Sequence, residues 1–204
     1  MSNRLGAVIL AAGTASRMGK QKLLLPLNGR PLLTHVLDTV HKVPWSDCMA
    51  VIGEPAAELA ALCQQRGIRS VYNSQRLEGQ ATSLTLALRH LSGDLAGIMF
   101  FLGDQPLVSL ALIESLIAQF FQAGSTKVII VPCQQGQRYS PVLFGSYWRP
   151  ELAVLTGDTG GRQIMRANPA HVIEVEWPEP ACFYDADTEN EYRQLKNLLD
   201  NKRG

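Results

Sequence analysis

A short basic segment follows the first apolar run of the chain. Residues Leu10–Lys22 read LAAGTASRMGKQK, so two glycines, two small hydroxylated residues, one arginine and two lysines stand within thirteen positions. Glycines let the backbone approach a ligand closely, and the N–H groups of such loops bind anions. Arginine and lysine add charges that pair with phosphate oxygens. The segment is therefore typical of a loop that binds a polyphosphate.

The spacing of the glycines excludes two common nucleotide motifs. Five residues separate Gly13 from Gly19, which does not fit the dinucleotide-binding pattern G-x-G-x-x-G. A P-loop is excluded because the interval to Gly19 is one residue too long and Gln21 stands at the hydroxyl position. An ordinary strand–helix connection with solvated charges is the alternative, but such connections usually run to roughly two to six residues. This one runs thirteen residues to the next proline, so we favour an anion-binding loop.

Composition excludes several classes of protein. The chain has 204 residues, 46% of them hydrophobic and 18% charged, which is typical of one globular domain. A net charge of +1 gives no basic excess for nucleic acid or a membrane surface. No apolar run approaches the ~18–20 residues of a membrane span, and no leader-like segment is evident, so we expect a cytoplasmic protein. The four cysteines are far apart in the chain and are predicted to be free thiols: Cys48, Cys63, Cys133 and Cys182.

Strand, loop and helix alternate along the chain. The predicted strands are Leu5–Ala12, Cys48–Gly53, Ile68–Asn73, Leu95–Asp104, Lys127–Val131, Tyr139–Phe144, Val172–Glu176 and Phe183–Asp185. The predicted helices follow Pro31, lie between Pro55 and Gly67, and span Ala81–Leu91, Leu110–Phe121 and Asp187–Leu199. This alternation predicts an α/β fold: a Rossmann-like, three-layer α/β/α domain with a mainly parallel sheet, whose ligands bind beyond the carboxyl ends of strands.

Six segments together resemble the MobA-like nucleotidyltransferase family, and their motifs are most similar to those of the molybdenum-cofactor cytidylyltransferases. The basic loop matches the pattern L-A-A-G-x-x-S-R-M-G-x-x-K. The other matching segments follow in order: Pro26–Leu33 (PLNGRPLL), Asn73–Leu84 (NSQRLEGQATSL), Gly103–Pro106 (GDQP), Gly157–Arg162 (GDTGGR) and Asp185–Thr188 (DADT). The resemblance implies a single domain of the nucleotide-diphospho-sugar transferase type. Residues 1–107 would bind the nucleotide, and residues 108–204 would provide the acceptor side and the closing helix.

The resemblance implies transfer of a nucleoside monophosphate from a nucleoside triphosphate to an acceptor phosphate, with release of pyrophosphate. The attacking group is already an anionic oxygen, so catalysis consists of positioning and charge neutralisation. Arg17 and Lys22 are the cations that the resemblance implies for the phosphates. It also implies that Gly79 lets the base approach the backbone and that Ser83 contacts base or ribose, although Ser83 could equally be an ordinary helix hydroxyl. The remaining nucleotide contacts implied in the loop are Leu10, Ala11, Ala12, Gly13 and Thr14.

Asp104, at the end of an apolar strand, is predicted to bind Mg²⁺, which prefers hard oxygen ligands. The alternative role, capping of the following helix, suits Ser109 better because Ser109 lies closer to the start of that helix. The resemblance implies that a second metal ligand comes from Asp185 or Asp187. We prefer Asp187, although this residue could equally cap the last helix.

Ala12 is the residue that bears on the choice of base. Guanylyl-transferring relatives tend to read L-A-G-G at this point, whereas cytidylyl-transferring relatives read L-A-A-G, as here. The added methyl group leaves less room beside the base, which favours CTP over GTP by ~1–3 kcal/mol at most. GTP therefore stays as the alternative nucleotide.

The resemblance implies a molybdopterin-type acceptor whose terminal phosphate is bound by Arg162, and a molybdoenzyme that receives the product is a candidate partner. Two departures from the family pattern bear on this acceptor. Tyr139–Pro141 stand where a glycine–histidine pair is usual, and Glu189 replaces a proline. A sugar or alcohol phosphate is thus an alternative acceptor, and a non-catalytic nucleotide-binding protein that delivers the cofactor is an alternative function.

Overall fold

The computed structural model of the chain describes residues 4–13, 21–158 and 160–201, with side chains up to residue 198. The strands are β1 Leu5–Ala11, β2 Pro26–Leu27, β3 Arg30–Pro31, β4 Asp47–Ile52, β5 Arg69–Tyr72, β6 Gly97–Leu102, β7 Ile129–Gln134, β8 Gln137–Arg138, β9 Val142–Gly145 and β10 Val172–Glu176. The helices are α1 Leu32–His41, α2 Ala56–Gln64, α3 Gln80–His90, α4 Leu110–Ala123, α5 Arg149–Ala153, α6 Arg162–Ala167 and α7 Glu189–Asn201. Among the described residues, no helix has the length and apolar character needed to cross a membrane.

Eight strands of the described residues form the main sheet. Seven of them follow the order β10-β7-β9-β6-β1-β4-β5, and β8 pairs with β7 at the side of this path. The strands β6, β1, β4 and β5 are parallel, whereas β9 runs antiparallel to both β6 and β7. The carboxyl ends of β1 and β6 therefore lie side by side near the middle of the sheet, where ligands of α/β proteins usually bind.

Helices cover both faces of this sheet. Side chains of a strand point alternately to opposite faces, so Ala7 and Ile9 contribute to the core under α1, α2 and α4. Val8, between them, contributes to the core under α3, α5 and α6. A strand that is buried on both sides requires an apolar sequence throughout, which explains the run Leu5–Ala11. The predicted three-layer α/β/α domain with a mainly parallel sheet is confirmed.

One predicted strand is wrong. Phe183–Asp185 do not join the sheet, because Pro180–Phe183 form a short 3₁₀ helix. The apolar character that suggests a strand has another cause: the Phe183 ring is buried and stacks on Tyr139, with centroids 4.3 Å apart. The Phe183 carbonyl accepts a hydrogen bond from Gln105 Nε2 at 3.3 Å instead of a strand partner.

All four cysteines are free, as predicted. Cys63, Cys133 and Cys182 are buried, and Cys48 is half-buried. Burial raises the pKa of the Cys48 thiol to about 12 and that of Cys63 to about 11. These two thiols therefore stay protonated at neutral pH, which is typical of packing residues and not of nucleophiles.

Candidate active site

The end of β6 delivers Asp104 beside the beginning of the basic loop. Leu10 is paired with Leu102 in the parallel ladder, and the Gly103 N–H continues that ladder to the Leu10 carbonyl at 2.9 Å. A Cβ on Gly103 would lie only 3.1 Å from the Leu10 oxygen and 3.2 Å from the Ala11 Cβ. The absence of a side chain at position 103 thus allows the two strand ends to approach closely.

Lys22 joins two carboxylates that are far apart in the sequence. Its Nζ donates to Asp104 Oδ2 at 2.5 Å and also to Asp187 Oδ1. The Lys22 and Asp104 side chains are only 13% and 19% exposed, so water screens this pair weakly. Burial lowers the pKa of Lys22, but the two carboxylates outweigh this effect and raise it above its usual value. The structure therefore brings together three of the predicted site residues, with Lys22 as an ammonium ion between them.

Asp104 and Asp187 could alternatively cap the helices that follow them, but other residues are the N-caps of these helices. Ser109 Oγ accepts an N–H from the first turn of α4 at 3.2 Å, so Ser109 is the N-cap of that helix. At the start of α7, Thr188 Oγ1 accepts the N–H of Glu191, and Glu191 Oε2 accepts the N–H of Thr188. This reciprocal pair is a capping box. Neither aspartate is needed as a cap.

Asp185 lies close to the same carboxylates. Its pKa is raised to about 6, first by burial and then by the negative charges of Asp104, Asp187 and Glu191. Lys22 opposes this shift only in part. The segment 185–187 thus concentrates negative charge beside Asp104, and the Lys22 ammonium binds directly to Asp187 and Asp104.

Asp104 and Asp187 fit the donor set that a divalent cation needs. Within the described part of the chain, no group of three or more His, Cys, Asp or Glu side chains is arranged to hold a metal ion. Magnesium, however, is often held by only one or two carboxylates, with substrate phosphates and water as further ligands. Asp104 and Asp187 supply two carboxylates on either side of one positive charge, which matches this requirement. A metal held by protein side chains alone would need more ligands than these two residues provide.

A cavity of about 260 Å³ lies beside this centre. It is lined by Lys22 and Asp104, and also by Arg76, Gln80 and Asp158. Every described residue that the sequence predicts to bind the nucleotide lines this cavity: Leu10, Ala11, Ala12, Gly13, Lys22, Gly79 and Ser83. The other two predicted nucleotide-binding residues lie outside the described residues: Thr14 and Arg17. The structure thus places the described nucleotide-binding candidates around one cavity, and their roles in binding the nucleotide stay predictions.

Gly79 approaches protein backbone. Its φ is +112°, and a Cβ at this position would lie 2.6 Å from both the carbonyl carbon and the oxygen of Gly157. Next to it, the Ala81 N–H donates to the Gly157 oxygen at 3.0 Å, and the Gln80 N–H donates to Asp158 Oδ1 at 3.2 Å. The segment 157–158 therefore satisfies the first N–H groups of α3. The motifs alone do not predict this contact, since they assign the close approach to the base.

Ser83 is held in place by Asn73, which is 2% exposed. The Asn73 Nδ2 donates to Ser83 Oγ and to Thr82 Oγ1, both at 2.9 Å, while Asn73 Oδ1 accepts the Gln75 N–H at 2.9 Å. Because Ser83 Oγ accepts this bond, its own proton is left to donate. Ser83 lines the smaller cavity, so a ligand there is within reach of that proton.

A second cavity, of about 540 Å³, also lies at the ends of β1 and β6. Three residues line both cavities: Leu10, Gln80 and Leu102. The predicted acceptor residue Arg162 lines the larger cavity together with Arg138 and Arg166. Arg138 Nε donates to Glu174 Oε1 at 2.7 Å, whereas Phe100, Phe144 and Met165 provide apolar walls. The larger cavity can therefore accept a ligand that has both an anionic group and an apolar body.

Three polar or charged residues of the smaller cavity are absent from the predicted set: Arg76, Gln80 and Asp158. All three lie inside motif segments, the first two in Asn73–Leu84 and the third in Gly157–Arg162. For Gln80 and Asp158 the usable signal is their position directly after Gly79 and Gly157, because glycines often mark a close approach of backbone segments, and both of these have positive φ.

The MobA-like NTP transferase domain is the family whose model matches this chain, over residues 7–172. The chain is 28% identical over 197 residues to the molybdenum cofactor guanylyltransferase of Vibrio cholerae serotype O1, covering 94% of this chain and 91% of that protein. It is also 32% identical over 116 residues to the bifunctional protein GlmU of Cellvibrio japonicus, covering 56% of this chain. The chain spans only about a quarter of the length of that GlmU protein.

Solved structures show the same fold. The Rv0371c homologue of Mycobacterium sp. strain JC1 superimposes with a TM-score of 0.83 and 26% identity, covering 98% of this chain and 99% of that one. Rv0371c of Mycobacterium tuberculosis H37Rv, in a complex with manganese, superimposes with a TM-score of 0.75 and 26% identity, covering 95% and 98%.

Proposed function

Because the chain belongs to the MobA-like NTP transferase domain family, which confirms the predicted nucleotidyltransferase class, we propose that it transfers CMP from CTP to the phosphate of a molybdopterin-type cofactor and releases pyrophosphate. The observation that carries this proposal is the position of Lys22. Its ammonium lies between Asp104 and Asp187, and both Lys22 and Asp104 line the smaller cavity. Because Leu10, Gln80 and Leu102 line both cavities, two substrates bound in these cavities would meet beside these shared residues.

The chain's own residues would act by positioning and by neutralising charge. The acceptor phosphate oxygen is the nucleophile, so no side chain has to be deprotonated to attack. Backbone N–H groups of Ala12 and Gly13 and the Lys22 ammonium would bind the triphosphate, with the Thr14 N–H and Arg17 as further predicted contacts. Asp104 and Asp187 would hold a divalent cation, proposed as Mg²⁺, which when bound neutralises charge on the α-phosphate and on the leaving pyrophosphate.

The nucleotide is proposed to be CTP because of Ala12. This residue lines the smaller cavity, and we expect its methyl group to take up space that a base would otherwise use. A pyrimidine needs less of this space than a purine. GTP is the second candidate, since the relative that matches over nearly the whole chain is a guanylyltransferase.

The acceptor is proposed from the chemistry of the larger cavity. Arg162 and Arg166 offer planar cations to a terminal phosphate, and the apolar walls suit a ring system of the pterin type. Tyr139 also lines this cavity, at the position where the sequence departs from the family pattern. The Tyr139 ring stacks on Phe183, so the acceptor has to tolerate an aromatic wall at this position. A sugar or alcohol phosphate is the alternative acceptor to be tested.

The experiment is a pyrophosphate-release assay that combines CTP, GTP and ATP with a molybdopterin-type acceptor, a sugar phosphate and no acceptor, in the presence of Mg²⁺. We expect CTP with the pterin acceptor to be fastest. Faster pyrophosphate release with GTP than with CTP would identify GTP, the second candidate, as the nucleotide substrate. Binding of nucleotide without release of pyrophosphate for any acceptor would contradict transfer and favour a protein that delivers the cofactor.

A further inference from the structure

Arg76 is a half-buried cation of the smaller cavity that the predicted site does not include. Its Nη1 donates to the Tyr72 hydroxyl at 3.0 Å, and this hydroxyl donates to Glu54 Oε1 at 2.7 Å. Glu54 is itself fixed, because its Oε2 accepts the Ala56 N–H at 3.0 Å. A chain of hydrogen bonds thus holds the guanidinium in one orientation.

The Arg76 side chain runs beside the residue that bears on the choice of base. A Cβ on Gly53 would lie 3.0 Å from Arg76 Cδ and 3.0 Å from the Ala12 oxygen, so Gly53 leaves the space in which Arg76 passes Ala12. In the sheet, β4 and β5 lie on one side of β1, whereas β6 and its Asp104 lie on the other. Arg76 therefore lines the end of the cavity that is remote from the carboxylates.

Most of the hydrogen-bonding capacity of Arg76 is available to a ligand. A guanidinium has five N–H donors and no acceptor. The bond to Tyr72 uses one of these donors, and among the described residues no other acceptor lies within hydrogen-bonding distance of this guanidinium. A ligand with two adjacent acceptor atoms would match the remaining planar fork.

We infer that Arg76 reads the nucleobase and makes the site selective for cytosine and guanine. This inference rests on the proposed function, which places the base at the end of the cavity opposite Asp104. Cytosine offers the adjacent acceptors N3 and O2, and guanine offers O6 and N7, the pair that arginine commonly binds. In adenine the N6 amino group separates the acceptors N1 and N7, and in uracil the N3–H separates O2 and O4. Neither of these bases can accept both bonds of the fork.

The test is the affinity of the protein for CTP, GTP, ATP and UTP with Mg²⁺, measured by isothermal titration calorimetry. The variants are Arg76→Met, Arg76→Lys and Tyr72→Phe, with Arg89→Met as a matched control because Arg89 is exposed in the last turn of α3. In Arg76→Met we expect the preference for CTP and GTP over ATP and UTP to fall about 10- to 100-fold, as for loss of a bidentate base contact. Arg76→Lys keeps the charge without the fork and should lose the same preference, while Tyr72→Phe should lose part of it.

Two results would overturn the inference: an equal loss of affinity for all four nucleotides in Arg76→Met, which indicates a phosphate contact, or unchanged preferences. Failure of the inference is separable from failure of the proposed function. A wild-type protein that releases pyrophosphate while Arg76→Met keeps its preferences contradicts the inference alone. A wild-type protein that releases none, but whose base preference depends on Arg76, contradicts the proposed transfer alone.

Discussion

Gly79 meets Gly157 backbone to backbone, so that a Cβ on Gly79 would lie 2.6 Å from the Gly157 carbonyl carbon and oxygen. This contact joins the segment that precedes α3 to the segment that precedes α6. The first of these segments lines the smaller cavity, and the second continues to Arg162 in the larger one. The relative placement of the two cavities therefore depends on a residue without a side chain.

Gly79→Ala should impair both stability and nucleotide binding. Alanine disfavours a φ of +112°, and its methyl group would collide with backbone that cannot rotate away. We expect a loss of about 1–3 kcal/mol in the free energy of unfolding, measured by urea denaturation. Gly93→Ala is the control, because a Cβ at Gly93 meets nothing within 4 Å. Equal stability of the two variants would show that the contact with Gly157 does not constrain position 79.

Lys22→Met should reduce transfer strongly. The substitution removes the ammonium that binds Asp104 and Asp187, and with it a charge that would stabilise the phosphates in the transition state. Loss of one such group typically costs about 10²–10³-fold in rate. The measurement is pyrophosphate release under saturating CTP. Lys127→Met is the control, since Lys127 Nζ lies over the Tyr147 ring, 5.0 Å from its centroid, and lines neither cavity. Rates that agree within twofold for the two variants would refute the role of Lys22.

Arg162→Gln should raise the KM for the acceptor without changing the KM for the nucleotide. Arg162 lines only the larger cavity, so its charge is expected to act on the acceptor phosphate. Loss of one charged hydrogen bond to phosphate corresponds to about a 10- to 100-fold rise in KM. Arg89→Gln serves as the control, because Arg89 is exposed and lines neither cavity. A rise in the nucleotide KM alone would show that Arg162 acts on the nucleotide and not on the acceptor.

Asp38 should make the fold sensitive to acid. Burial raises the pKa of Asp38, but its ion pairs with Arg66 and Arg30 outweigh burial and hold the pKa below its usual value. A carboxylate with a depressed pKa stabilises the folded state above its unfolded pKa, and this contribution is lost as pH falls through the folded value. Thermal unfolding from pH 7 to pH 3 should therefore show a smaller acid-induced drop in Tm for Asp38→Asn than for the wild type. Parallel curves for the two proteins would contradict this role.

The strands β1, β4 and β6 are readable from the sequence because each is a short, mostly apolar run that is followed within two residues by glycine. Elements that are very short, or whose apolar residues are buried by a tertiary contact, are not readable from the sequence. The short helices α5 and α6 have five and six residues, too few for a helical period to show. Phe183 is apolar because it packs on Tyr139, and an apolar pattern alone cannot separate that cause from a strand.

The residues of the site also fall into two groups: those that the sequence predicts and those that only the fold reveals. Residues of the loop and Asp104 are recognisable because they lie at the carboxyl ends of apolar strands and within motifs that resemble those of a known family. The preference for Asp187 over Asp185 as the second metal ligand stays a prediction. The bond from Lys22 to Asp187 spans 165 positions of the chain, and only the fold reveals it. Arg76 and Asp158 are brought to the cavity by contacts such as that between Gln80 and Asp158, 78 positions apart, which no local pattern encodes.

The central claim is that Asp104 holds the divalent cation without which nucleotidyl transfer does not proceed. It is tested most directly by pyrophosphate release from CTP and a molybdopterin-type acceptor in Asp104→Asn, with Asp94→Asn as control because Asp94 is exposed and paired with Arg4. We expect Asp104→Asn to lose at least about 10³-fold in rate at saturating Mg²⁺, while Asp94→Asn keeps the wild-type rate. A rate for Asp104→Asn within twofold of the wild type would contradict it.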